Sequence, residues 1–71
     1  MTESNRDLDA AVHRAIDQLP PRLKEVVLLH LLEDLPIAEV AAIVGCPEGT
    51  VKSRLHYGKR ALRTLLTKET P

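Results

Sequence analysis

After Gly45 the chain carries Lys52, Arg54, Lys59, Arg60, Arg63 and Lys68 against only Glu48 and Glu69. Before it, four Lys and Arg face eight Asp and Glu, so a formal net charge of zero hides a basic C-terminal part and an acidic remainder. Cations at three- and four-residue steps share one side of a helix. A row of them neutralises phosphates and releases condensed counterions. Ser53, His56 and Tyr57 are interleaved with these cations, and their hydroxyl, imidazole and phenol groups can donate to or accept from base edges. The chemistry on offer is polyanion binding through a local basic face.

Other chemistries lack their residues. Cys46 is the only cysteine, which excludes an intrachain disulfide and a finger-type zinc site. His13, His30 and His56 show no metal-ligand spacing; His13 and His30 read as surface or boundary residues. No Ser/His/Asp or paired-carboxylate arrangement finds a pocket in a chain of 71 residues. The chain is therefore expected not to be an enzyme and to need no cofactor. The N-terminal MTESNRDLDA has no apolar run, and no stretch approaches the roughly 20 apolar residues of a membrane span. A cytoplasmic protein with no membrane insertion is the expectation.

The elements that must carry the basic face follow from apolar periodicity and from the prolines. A chain this short makes one domain, and with Tyr57 its only aromatic residue its core must be aliphatic, which with helical spacing favours an all-α fold. Residues 1–6 read as a disordered tail, 7–66 as the domain and 67–71 as a second tail. Leu8, Ala11, Val12, Ala15, Ile16 and Leu19 form the stripe of a first helix, stopped by Pro20 and Pro21. RLKEVVLLHLLEDL reads as one helix, apolar around much of its circumference and so the central, most buried one. Pro36 separates it from IAEVAAIV, a short third helix with Ile37, Val40, Ala41 and Val44 on one face. Gly45 suits the left-handed residue that ends a helix, and Pro47 suits a new start. The fourth helix spans about Pro47 to Leu66, with Val51, Leu55, Gly58, Leu62 and Leu65 facing inward.

A short helix, a glycine turn and a longer basic helix make a helix-turn-helix inside a small four-helix bundle. Such a second helix enters the major groove of DNA with its N-terminal residues against base edges. Counting roughly 100° per residue from Val51, Ser53, His56, Tyr57 and Arg60 fall opposite the apolar stripe. Lys52 and Lys59 lie on one flank and Arg54 on the other. Ser53, His56 and Tyr57 are thus placed for bases, and Lys59, Arg60 and Arg63 for phosphates farther along. Gly49, with no Cβ, lets backbone approach DNA closely, or allows close packing of the two motif helices. Thr50 either caps the helix or bonds a phosphate. Arg54 either pairs with Glu39 or contacts a phosphate. Glu48 suits the positive helix terminus, with acceptance from a cytosine amino group as the alternative.

Residues 19–66, and above all LPPRLKEVVLL, IAEVAAIVG and PEGTVKSRL followed by a Lys/Arg pair, resemble region 4, the C-terminal region of bacterial sigma factors of the extracytoplasmic-function (ECF) group. The resemblance implies a four-helix bundle that recognises the minus-35 promoter element as part of RNA polymerase holoenzyme. It implies base contacts at Lys52, Ser53, His56 and Tyr57, with phosphate contacts nearby that include Lys59. It further implies docking on the flap of the polymerase β subunit and, in many relatives, masking by an anti-sigma factor.

Four positions depart from the family pattern. Pro36 and Pro47 stand where hydroxyl caps are usual, Tyr57 where Arg is usual, and Gly58 where Ala is usual, at a helix-propensity cost of about 1 kcal/mol. The region that reads the minus-10 element has no counterpart in these residues, which makes a fragment or a lone module the expectation, monomeric when free. Two rivals remain. One is the DNA-binding domain of another helix-turn-helix regulator, which KSRL in place of a KxH run disfavours. The other is a protein-interaction module using Leu28, Leu31 and Leu32, bound mainly by an anti-sigma factor or the β flap.

Overall fold

The computed structural model of the chain describes residues 2–69, with side chains from 10 to 67. Its four helices are α1 (Thr2–Asp17), α2 (Pro21–Val27, continued by a π-helical turn over Leu28–Leu32), α3 (Ile37–Val44) and α4 (Glu48–Glu69), with no strand among the described residues. The all-α fold and its helix-turn-helix are as the sequence predicts.

Prolines set the junctions. The first helix tightens at its end, where Gln18 N–H and Leu19 N–H donate to Ala15 O and Ile16 O at 3.1 and 3.0 Å. Pro20 then takes an extended conformation (φ −56°, ψ 148°) and Pro21 opens α2, where a missing N–H is no loss. Pro36 precedes α3 in the same way, with φ −62° and ψ 155° and no side-chain cap. Its carbonyl accepts from Val40 N–H at 3.0 Å, and that of Pro47 accepts from Val51 N–H at 3.1 Å. Gly45 ends α3 in the left-handed region, at φ 76° and ψ 38°.

Two helix bounds differ from the periodicity. The first helix starts at Thr2, so residues 2–6 are helical where a tail is expected; no proline or glycine interrupts 2–17. The last helix continues past Leu66 to Glu69.

The larger difference lies in the second helix. Its α-helical part stops at Val27, after which Glu33 N–H reaches back five residues to Leu28 O at 3.0 Å. Leu35 N–H donates to Leu29 O at 3.1 Å, and Asp34 adopts a positive φ of 63°. Leu31 stands four residues after buried Val27 and would repeat its face in an α-helix. The widened turn takes it off that face, so Leu31 and Leu32 are 41% and 43% exposed. The helix expected to be most buried is therefore buried only in part. The central element is α4, which packs against α1, α2 and α3.

The core is a single cluster of Ala15, Ile16, Leu19, Val26, Val27, Val40, Ala41, Val51, Leu55 and Leu62. Burying one such Val, Leu or Ile side chain contributes about 1.5–3 kcal/mol. Gly58 is buried in the same interface, and a Cβ built on it would lie 2.6 Å from Val27 Cγ2. The glycine lets α4 approach α2, which explains its presence at a position where helix propensity alone would favour alanine.

Candidate nucleic-acid interface

The inward residues of α4 leave the opposite side of the helix bare. With Val51, Leu55, Gly58 and Leu62 buried, Lys52, Ser53, His56, Tyr57, Lys59, Arg60 and Arg63 all stand exposed. The helical wheel thus separates the two sets correctly, because α4 is a regular helix from Glu48 onward. The His56 and Tyr57 rings meet edge to face, with centroids 5.4 Å apart and planes at 74°, an arrangement that aromatic quadrupoles favour. Tyr57 is 58% exposed, so more than half of its surface is open to solvent.

The alternatives at the helix start resolve in part. Gly49 has open space around it, with nothing within 4 Å of a Cβ placed there. It is not a packing glycine between α3 and α4, and its exposed backbone is open to close approach. Thr50 is the third residue of α4, inside the first turn, so it does not cap the helix. Glu48 opens that turn and sits favourably on the positive end of the helix dipole. Arg54 does not pair with Glu39: its Nη1–H donates to Cys46 Sγ at 3.7 Å, half-buried under the turn. Sulfur is a weak acceptor, and four of the guanidinium's five N–H groups remain for other partners.

A groove of about 240 Å³ runs along one flank of this face, lined by His30, Ile37, Lys52, Leu55, His56 and Lys59. Lys52, His56 and Lys59 come from successive turns of α4. Ile37 is the first residue of α3, and His30 lies in the π-helical turn. His30 is a boundary residue, as expected, but its place beside the α4 cations has no signature in sequence spacing. Only the packing of α2 on α4 brings it there. Among the described residues, no group of three or more His, Cys, Asp or Glu is placed to hold a metal ion, and no helix is long and apolar enough to cross a membrane.

Residues 9–62 match the family model of sigma-70, region 4. The chain belongs to that family. Among curated region 4 relatives, it is 43% identical over 61 residues to the RNA polymerase sigma factor SigV of Bacillus subtilis, covering 86% of this chain and 37% of SigV. It is 40% identical over 63 residues to the ECF RNA polymerase sigma factor SigE of Mycolicibacterium smegmatis, covering 89% and 24%. Against the ECF sigma factor SigW of Bacillus subtilis the identity is 35% over 60 residues, covering 84% and 32%. The chain thus spans well under half the length of these relatives. The region 4 match takes in α2, α3 and the exposed face of α4 as far as Leu62.

Proposed function

We propose that residues 7–66 form the promoter-recognition region of an alternative sigma factor of the ECF kind, and that α4 reads the minus-35 element in the major groove. The observation that carries this reading is the exposed set Lys52, Ser53, His56 and Tyr57 on a helix whose other side is locked into the core. In this reading Lys52, Ser53, His56 and Tyr57 meet base edges. Thr50, Arg54, Lys59, Arg60 and Arg63 meet phosphates, and the open backbone at Gly49 lets the helix start approach the duplex. The domain acts by binding, not catalysis, as a cytoplasmic monomer that contributes to transcription initiation with RNA polymerase core.

The test is an amide chemical-shift titration of the chain with a duplex carrying a minus-35 element and with a scrambled duplex, at two salt concentrations. Shifts concentrated between Gly49 and Lys59, larger for the element, support the reading. No shifts on either duplex at low salt would overturn it.

A second reading rests on the exposed leucines of the π-helical turn. Leu31 and Leu32 are more than two-fifths exposed and Ile43 is 60% exposed, which suits docking on the β flap or masking by an anti-sigma factor. The two roles use different surfaces. Addition of the isolated flap should shift the amides around Leu31 and Leu32 and leave those around Ser53 in place.

A further inference from the structure

One carbon-rich side chain stands among the cations of α4. Among the described residues, the exposed large apolar side chains are Leu31, Leu32, Ile43 and Tyr57, and of these Tyr57 alone lies on α4. Its exposed neighbours Lys52, Ser53, His56, Lys59 and Arg60 end in charged or hydrogen-bonding groups. A tyrosine side chain is carbon apart from its hydroxyl, so it adds apolar surface where they add none. The ring is also braced. His56 and Tyr57 project about 100° apart around the helix, yet their rings meet edge to face with centroids at 5.4 Å and planes at 74°. Such a contact narrows the ring's choice of rotamers before a ligand arrives, which lowers the ordering cost of binding.

In the major groove every base pair presents donors and acceptors, but the apolar group on offer is the C5 methyl of thymine. Tyr57 lacks the fork that takes guanine O6 and N7 together. Its hydroxyl both donates and accepts, so that group alone does not single out a base. What can distinguish bases at this residue is carbon. We propose that Tyr57 selects thymine at the base step it meets, by packing its ring on the C5 methyl. The proposal rests on the reading of α4 as the helix in the major groove, and it names the base that this part of the face prefers. Thr50 also carries a methyl group, but it is half-buried inside the first turn. The expected discrimination is that of one methyl group taken out of water, about two- to fivefold in affinity.

The test uses the whole 71-residue chain and a panel of minus-35 duplexes. Thymine is placed at each position of either strand in turn, and then replaced there by deoxyuridine. That exchange deletes the methyl group and keeps the hydrogen-bonding edge. Fluorescence anisotropy at low salt should find one position where thymine binds about two- to fivefold tighter than deoxyuridine. Tyr57→Phe should keep that ratio. Tyr57→Ala, with unchanged helical circular dichroism, should bring it to one. In the complex, the methyl protons of that thymine should show a nuclear Overhauser effect to the Tyr57 ring. Equal affinities for thymine and deoxyuridine at every position would overturn the proposal while leaving the reading of α4 standing. A ratio that survives in Tyr57→Ala overturns it too, and assigns the methyl to another residue such as Thr50. A ratio lost in Tyr57→Phe would show that the hydroxyl, not the ring, makes the choice. Failure of all the duplexes to bind at low salt sinks the reading of α4 itself.

Discussion

Gly58 on α4 faces Val27 on α2 so closely that a Cβ on the glycine would stand 2.6 Å from Val27 Cγ2. Valine is stiff about χ1, and Val27 is fully buried, so the methyl group has no easy retreat. Two effects oppose each other in Gly58→Ala. Helix propensity favours alanine by about 1 kcal/mol, and overpacking a filled core costs about 1–3 kcal/mol. The variant is expected to be less stable by up to about 2 kcal/mol on this balance. Urea unfolding followed by circular dichroism measures it. In a double-mutant cycle, Val27→Ala should cost less in the Gly58→Ala background than in the parent, because it removes the clashing methyl. Additive losses would show that the contact does not limit the approach of the two helices.

Gly45 is the second glycine with a fixed duty. At φ 76° an L side chain is strained whatever space surrounds it, and nothing lies within 4 Å of a Cβ there. Gly45→Ala should therefore lower stability by about 1 kcal/mol through backbone strain alone. Gly49→Ala, with the same open space and an ordinary helical backbone, should gain stability. A thermal melt of the pair separates conformational strain from packing. Equal effects would contradict the left-handed cap.

The proposed reading of α4 gives its exposed residues two roles that binding measurements separate. Lys59→Ala should weaken binding alike on minus-35 and scrambled duplexes and reduce the slope of log affinity against log salt by about 1. Ser53→Ala should change the ratio of the two affinities by up to about 1–3 kcal/mol with the salt slope intact. Fluorescence anisotropy at three salt concentrations reads both quantities. A change in salt slope for Ser53→Ala would move that residue to the phosphate side.

Tyr57 stands where a cation would add both charge and a bidentate fork. Tyr57→Arg should steepen the salt dependence by about one counterion. It should also favour duplexes with guanine at the contacted step by about 1–3 kcal/mol. Loss of the edge-to-face contact with His56 should leave stability nearly unchanged, since both rings are exposed. A panel of duplexes varied one base pair at a time locates the step. Uniform affinities across the panel would place Tyr57 away from the bases.

The punctuation of this fold is written in single residues. Pro20, Pro21, Pro36, Gly45 and Pro47 mark three of its junctions, and each acts through its own backbone chemistry, which requires no knowledge of neighbours. The inward stripe of α4 was legible for the same reason, since a regular helix keeps its period. The π-helical turn was not. Val27 and Leu31 have α-helical spacing, and only the hydrogen bond from Glu33 to Leu28 reveals the widened register. Gly58 read as a propensity cost because its reason, Val27, lies on another helix. Charge leaves Arg54 between Glu39 and a phosphate, whereas the turn delivers it to Cys46. His30 joins the α4 cations only through tertiary packing. What depends on one residue's conformation, or on period along one helix, can be read early; what depends on which surfaces meet cannot.

The two sides of α4 answer to different demands. Val51, Leu55, Gly58 and Leu62 hold the domain together, while Ser53, His56 and Tyr57 stand exposed. Selection can therefore rewrite the outward set without passing through unfolded intermediates. On the proposed reading of α4, a population of such domains can diversify its DNA preferences while sharing one scaffold. The same independence makes the outward set transplantable: moved as a group onto a related scaffold, it should carry its preference along and leave the recipient's melting temperature in place.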